Sequence, residues 1–260
     1  MKLSSEELFV RELSAIDSHA HFNHKGESYP DEPGANKRGL DHLIKMISAA
    51  RVDKVFCTTY EGIYDSKRVY EENDYLFNYA LSNDWCYQWV LINPLDDETV
   101  RQAKGMLHRG KCVGIKLHPA AHGYELEEQE KKIFPLAEEM SAKVLIHPTR
   151  GDFEEYIRIA DKYPNATLIV AHMHKPEYVD IIKRAKHQNI YTDTSGGKSN
   201  LNYVIEYAIE QGIADRVLYG SDDYATAFQR GRIEMALIPN EDKVKILCVN
   251  AQRIWKEFIG

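Results

Sequence analysis

The chain is sparing in several residue types and patterns, and each shortage excludes something. It has 4 Cys in 260 residues, at Cys57, Cys86, Cys112 and Cys248. They lie far apart and form no C-x-x-C pair, which removes a thiol metal clip and a disulfide scaffold. Three of them sit in apolar surroundings, so they read as reduced packing residues of a cytoplasmic protein. Pro and Gly number only 9 and 15, which excludes collagen-like and low-complexity chains. No apolar run approaches the ~20 residues of a membrane helix. The stretch Met1–Glu7 lacks the apolar centre of a secretion signal. There is no basic tract, and 33 Lys and Arg against 40 Asp and Glu give a net charge of −7. A nucleic-acid footprint needs the opposite sign, so neither nucleic acid nor membrane is expected as a partner.

What remains is the composition of an ordinary globular protein, 43% hydrophobic and 28% charged. The length suits one domain over 1–260. Short β-rich runs recur at Ser14–Ser18, Lys54–Thr59, Cys86–Ile92, Val113–Leu117, Lys143–Ile146, Thr167–Ala171, Asn189–Thr194 and Arg216–Tyr219. Most are nearly continuous apolar runs, as strands of a parallel sheet covered on both faces require. Stretches with helical spacing lie between them, such as Tyr178, Ile181, Ile182 and Ala185, and a long closing stripe from Val244 to Phe258. Pro135 and Pro176 read as first-turn residues of their helices. Eight strand–helix units in this length predict an α/β fold, a (β/α)8 TIM barrel. A doubly wound sheet would carry a glycine-rich loop after its first strand, where this chain has His19-Ala20-His21. The irregular stretch Phe22–Gly39 would cover the C-terminal mouth.

There are 11 His, and several fall where apolar runs end. Residues two apart in a strand face the same way, so His19 and His21 present paired imidazoles, strong ligands for zinc and its neighbours. The fifth run ends at His147, the sixth at His172, and the eighth leads into Asp222. Barrel closure gathers strand ends at one mouth, so these five residues predict a site for a divalent cation. Such an ion makes hydroxide from its water near neutral pH. His172 and Asp222 are then the candidates for ligand or proton-handling base. Lys116 and His118 share a face of the fourth strand. Lys116 would bind a substrate carboxylate, or be carbamylated and bridge two metals. Arg150 is a candidate anion clamp. Asp193 and Asp223 are weaker candidates. His24 and Tyr29 read as solvated loop residues, and His42, His108, His122, His174 and His187 as surface or helix residues.

Asp17-Ser18-His19-Ala20-His21, Gly114-Ile115-Lys116-Leu117-His118-Pro119, Ile146-His147-Pro148, Val170-Ala171-His172 and Tyr219-Gly220-Ser221-Asp222, with the closing Lys245–Trp255 stretch, together resemble the amidohydrolase superfamily. Its branch of predicted metal-dependent TIM-barrel hydrolases, related to aminocarboxymuconate-semialdehyde decarboxylase, is the most similar. The resemblance spans Ile16 to Trp255. It implies His19, His21, His147 and Asp222 as metal ligands, with His172 a ligand or an uncoordinated acid/base. It places Lys116 where some members carry a bridging carbamylated lysine.

The expectation is therefore a cytoplasmic enzyme, possible as a homodimer, with one divalent metal, Zn2+ by default and Mn2+, Ni2+ or Fe2+ as alternatives. It would hydrolyse an amide, lactone or ester bond of a small anionic substrate. Asp222 and His172 would be catalytic, and Lys116, His118 and Arg150 would hold the substrate carboxylate. The alternative is a lyase, a metal-dependent non-oxidative decarboxylase or hydratase on the same scaffold.

Overall fold

The computed structural model describes residues 5–30, 34–149, 153–196, 203–222 and 226–259. Eight parallel strands form one sheet in sequence order. They are β1 Ala15–Phe22, β2 Val52–Thr59, β3 Cys86–Leu91, β4 Cys112–Leu117, β5 Lys143–Ile146, β6 Thr167–Val170, β7 Ile190–Asp193 and β8 Val217–Leu218. The barrel closes through backbone bonds between β1 and the residues just after β8: Ser18 N–H donates to the Tyr219 carbonyl at 2.9 Å, and Asp222 N–H to the His19 carbonyl at 2.8 Å. This is the single-domain (β/α)8 TIM barrel the strand spacing predicts.

The helices are α1 Ser5–Glu12, α2 Leu40–Ala49, α3 Tyr60–Tyr64, α4 Val69–Leu81, α5 Asp97–Met106, α6 Pro119–His122, α7 Leu126–Glu139, α8 Glu154–Lys162, α9 Pro176–Arg184, α10 Val204–Glu210, α11 Thr226–Glu234, α12 Asn240–Val244, α13 Asn250–Ile254 and α14 Lys256–Ile259. Among the described residues, no helix is long and apolar enough to cross a membrane. Apolar residues on the outward faces of the strands pack against the helix ring in one large core. A second cluster fills the barrel near the strand starts, with Ile16, Phe56, Trp89 and Val113 closed over by Trp255. Trp255 Nε1 donates to the Val113 carbonyl at 2.8 Å, and Trp89 Nε1 to the Ser18 carbonyl at 2.9 Å. Both indoles thus bury their rings without orphaning the N–H. A Cβ on Gly114 would lie 2.6 Å from the Trp89 ring and 2.3 Å from the Lys143 carbonyl, so only glycine fits there.

Three expectations change. β1 continues past Ser18 to Phe22, because its polar residues are buried inside the barrel instead of ending the strand. Pro135 lies well inside α7, not in its first turn. That helix starts at Leu126, where burial of Leu126, Ile133, Phe134 and Ala137 outweighs the backbone bond that the proline omits. The closing stripe is broken into α12, a π-turn at Lys245–Val249 and α13. The π-turn leaves the Ile246 carbonyl to accept from Tyr219 N–H at 3.0 Å. Pro176 is at the first turn of α9, as expected.

Candidate metal centre

The polar residues of β1 face the upper barrel. His19 Nε2 and His21 Nε2 lie 3.1 Å apart, and Asp222 Oδ1 is 3.7 Å from the first and 3.3 Å from the second. Each imidazole is oriented through its other nitrogen. His19 Nδ1 donates to Asp193 Oδ2 at 2.9 Å, and His21 Nδ1 meets Thr58 Oγ1 at 2.6 Å. Such outer contacts fix the tautomer and aim the remaining lone pair at a metal.

A second part of the site is built around His172. Its Nδ1 lies 2.8 Å from Ser195 Oγ, whose hydroxyl in turn donates to Asp193. Its Nε2 lies 3.1 Å from His147 Nδ1. His147 therefore joins the cluster through His172, outside the compact group of His19, His21 and Asp222. The His147 ring stacks on His118 with centroids 4.0 Å apart. His118 Nδ1 accepts the Ala121 N–H at 3.2 Å, which leaves the ring proton on Nε2. Lys116 is fully buried with Nζ 2.9 Å from His19 Nε2. A cavity of about 720 Å3 opens beside His147, between Tyr124 and Thr149.

Two of these residues have unusual backbones. His172 and Asp222 have φ of 66° and 60°, the left-handed region that costs a non-glycine residue about 1–3 kcal/mol. Each is held there by its own N–H, His172 by Asp193 Oδ1 at 3.1 Å and Asp222 by the His19 carbonyl. Gly196, with φ of 80°, passes so close that a Cβ would lie 2.7 Å from His172 Nδ1.

The electrostatics follow from burial among like groups. Burial pushes His21 down to about 3. Burial, with help from Lys116, lowers His19, and burial with neighbouring imidazoles holds His118 and His147 well below the usual range. These rings are neutral at pH 7, as metal ligands must be. Burial alone would raise Asp222, but His172, His21 and His19 hold it well below the carboxylate range. Burial brings Lys116 down to about 8 and raises Asp17 to about 7. Neutral imidazole lone pairs converging with a carboxylate are a donor set suited to a first-row divalent cation.

The structure thus brings together His19, His21, His147, His172, Asp222, Lys116 and His118. Arg150 and Asp223 lie outside the described residues. Asp193, the weaker candidate, is central: it orients His19 and, through Ser195, His172. The strand-end rule could have found it, since it closes β7. Thr58 and Ser195 carried no signal, because hydroxyls are common at such positions. Tyr29 is buried instead of solvated, and His122, a helix residue of α6 as expected, is buried with its Nε2 bonding the Gly62 carbonyl at 3.0 Å.

Among solved structures, 5-carboxyvanillate decarboxylase from Sphingomonas paucimobilis is similar, with a TM-score of 0.75 at 14% identity, covering 94% of this chain and 99% of that one. So is 2,6-dihydroxybenzoate decarboxylase from Rhizobium, with a TM-score of 0.73 at 13% identity over 94% and 99%. A dihydroxybenzoic acid decarboxylase from a Polaromonas species, with bound manganese and 2-nitroresorcinol, has a TM-score of 0.73 at 16% identity over 94% and 97%. At this identity the likeness speaks for the fold. No curated protein matches the chain. The amidohydrolase family model matches residues 16–256, nearly the whole barrel. The chain is an enzyme that belongs to the amidohydrolase family.

Proposed function

We propose that this enzyme is a metal-dependent lyase that removes CO2 non-oxidatively from a small, ring-bearing carboxylic acid. The observation that carries this reading is the likeness to decarboxylases over nearly the full length of both chains, one of them with bound manganese. It favours the lyase over the hydrolase expected from sequence. His19, His21, His147 and Asp222 would hold the cation, Mn2+ or Zn2+. When bound, it supplies Lewis acidity and fixed positive charge toward the oxygens of the acid.

The chain's own groups do the rest. Lys116 Nζ faces the same point and adds a positive charge for a carboxylate. His118 offers its Nε2–H from the neighbouring strand end. In the reaction the C–C bond breaks, CO2 departs, and the electron pair stays on the carbon, which takes a proton from His172 Nε2. Ser195 and Asp193 behind Nδ1 steady the imidazolium that precedes this transfer. Asp222 stays a carboxylate throughout. A tyrosine wall supports a flat substrate: the Tyr60 ring is 5.5 Å from His21, the Tyr64 ring 6.4 Å from His118, and Tyr29 stacks on Tyr64 at 4.9 Å. The four cysteines are buried thiols, which supports a reducing, cytoplasmic setting.

The test is CO2 release from a panel of hydroxylated benzoates, run beside esters, lactones and amides. Release of CO2 that falls at least 100-fold with chelator and returns with Mn2+ or Zn2+ is expected. Turnover of the esters, lactones or amides with no CO2 from any acid would return the reading to hydrolysis.

A further inference from the structure

A second group of ligand-type side chains lies where the loop after β1 meets the helices after β2. His24 Nε2 is 2.8 Å from Glu72 Oε2 and 3.9 Å from Glu61 Oε2. One donor atom from each residue falls within a sphere that a single ion can fill, since all three lie within 4.8 Å of one another. Glu61 is the first acidic residue of α3 and is fully buried, and Glu72 in α4 is 3% exposed.

Much of this cluster has an ordinary structural explanation. Glu61 Oε1 accepts the N–H groups of His24 and Lys25 at 2.9 and 2.7 Å, pinning the loop. Lys25 Nζ sits 2.8 Å from Glu72 Oε1 and offsets part of its charge. The other carboxylate oxygen has no such explanation. Glu61 Oε2 is buried and has no hydrogen-bond partner among the described residues. A buried carboxylate oxygen left without a donor is costly. This one lies on the side of His24 Nε2 and Glu72 Oε2, so the three atoms point to one shared partner of positive charge.

We propose that His24, Glu61 and Glu72 form a second divalent-cation site, separate from the centre at the barrel mouth. One imidazole nitrogen and two carboxylate oxygens suit Mn2+ or Zn2+. The ligands are supported from behind. The His24 ring stacks on Tyr75 at 3.8 Å and 11°, and backbone N–H groups hold the other oxygen of Glu61. The ion would clamp the start of the loop that carries Tyr29 to the α3–α4 corner. It would therefore order the tyrosine wall without touching the reacting atoms.

The experiment counts cations. Purified chain is stripped with chelator, loaded with Mn2+ or with Zn2+, desalted, and measured by elemental analysis. The unaltered chain is expected to hold about two ions, and a His19→Ala/His21→Ala chain about one. Adding His24→Phe, which keeps the stack on Tyr75, or Glu72→Gln, which keeps the Glu61 backbone bonds, should remove that last ion. Saturating Mn2+ should raise the melting temperature of the His19→Ala/His21→Ala chain by roughly 5–10 °C, and that shift should vanish with His24→Phe. One ion in the unaltered chain, or none in the His19→Ala/His21→Ala chain, overturns the proposal. Unchanged stoichiometry in both His24→Phe and Glu72→Gln does so as well. Loss of decarboxylation alone bears on the other reading and leaves this count intact.

Discussion

At the scale of single residues, His19 and His172 are held by the same carboxylate but in different ways. Asp193 bonds the His19 ring directly, whereas it takes the His172 backbone N–H directly and reaches the His172 ring through Ser195. His19 belongs to the compact donor group with His21 and Asp222, whereas His172 borders it. His19→Ala should therefore lose most of the metal at the mouth. His172→Ala should keep it and lose roughly 10²–10⁴-fold in rate, the usual worth of a positioned acid. Elemental analysis beside single-turnover assays separates them, and equal metal loss would make His172 a ligand. The site was legible in the sequence where apolar runs stop on imidazoles: one such His can simply cap a carbonyl, but several at strand ends of one barrel meet at one mouth. Asp193 obeyed the same rule but competed with turn capping, an equally common task for aspartate. Ser195, Thr58 and the His118–His147 stack were not legible, since their contacts exist only after distant strands close.

At the scale of elements, Arg230 joins three helices. It is 4% exposed on α11, and its guanidinium donates to the carbonyls of Ala50 and Arg51 after α2 and of Val10, Arg11 and Leu13 around the end of α1. Carbonyls at helix C-termini lack partners of their own, and a cation there is favoured. Arg230→Met keeps bulk but strips every donor and leaves Glu234 without its 2.7 Å partner. Breaking a buried pair costs about 3–5 kcal/mol, so the melting temperature should fall by roughly 10 °C. A thermal scan checks this, and a fall under about 2 °C would mean that water takes over the carbonyls. The strands themselves were readable, because two covered faces leave an apolar run. Their ends were less so. β1 hid its extent because two of its later residues, His19 and His21, are polar and serve the site, and α7 begins well before Pro135 because its buried face outweighs one missing backbone bond.

At the scale of the whole molecule, burying neutral imidazoles makes the metal-free protein acid-sensitive. The folded values of His19, His21, His118 and His147 lie below the unfolded value near 6.5. Their contribution is present above pH 6.5 and is lost as pH falls toward the folded values, about 3 for His21. Asp17 runs the other way: raised to about 7, it gains stability as pH falls through 7 toward 4. One carboxyl offsets one of the four rings, so the net change is a loss. Below about pH 4.5, Glu72 and Glu130 add to it. Burial raises both, but their basic partners more than compensate and hold each down to about 2. Unfolding free energy from urea titrations should fall steadily below pH 6.5, by up to about 1.4 kcal/mol per pH unit for each net proton. A flat profile between pH 6.5 and 4 would show that the rings are charged in the fold.

The π-turn at Lys245–Val249 ties the closing stretch of the chain to the barrel mouth. It lends the Ile246 carbonyl to Tyr219, three residues before Asp222. That bond helps to seat the segment whose own N–H groups finish the seam onto β1. Without the Ile246 carbonyl, the Tyr219 N–H would lose its acceptor, and the seating of Asp222 would rest on the bonds of Ser221 and Asp222 to the His19 carbonyl. A cation held at the mouth as proposed would then depend on the closing stretch of the chain as well as on its own ligands.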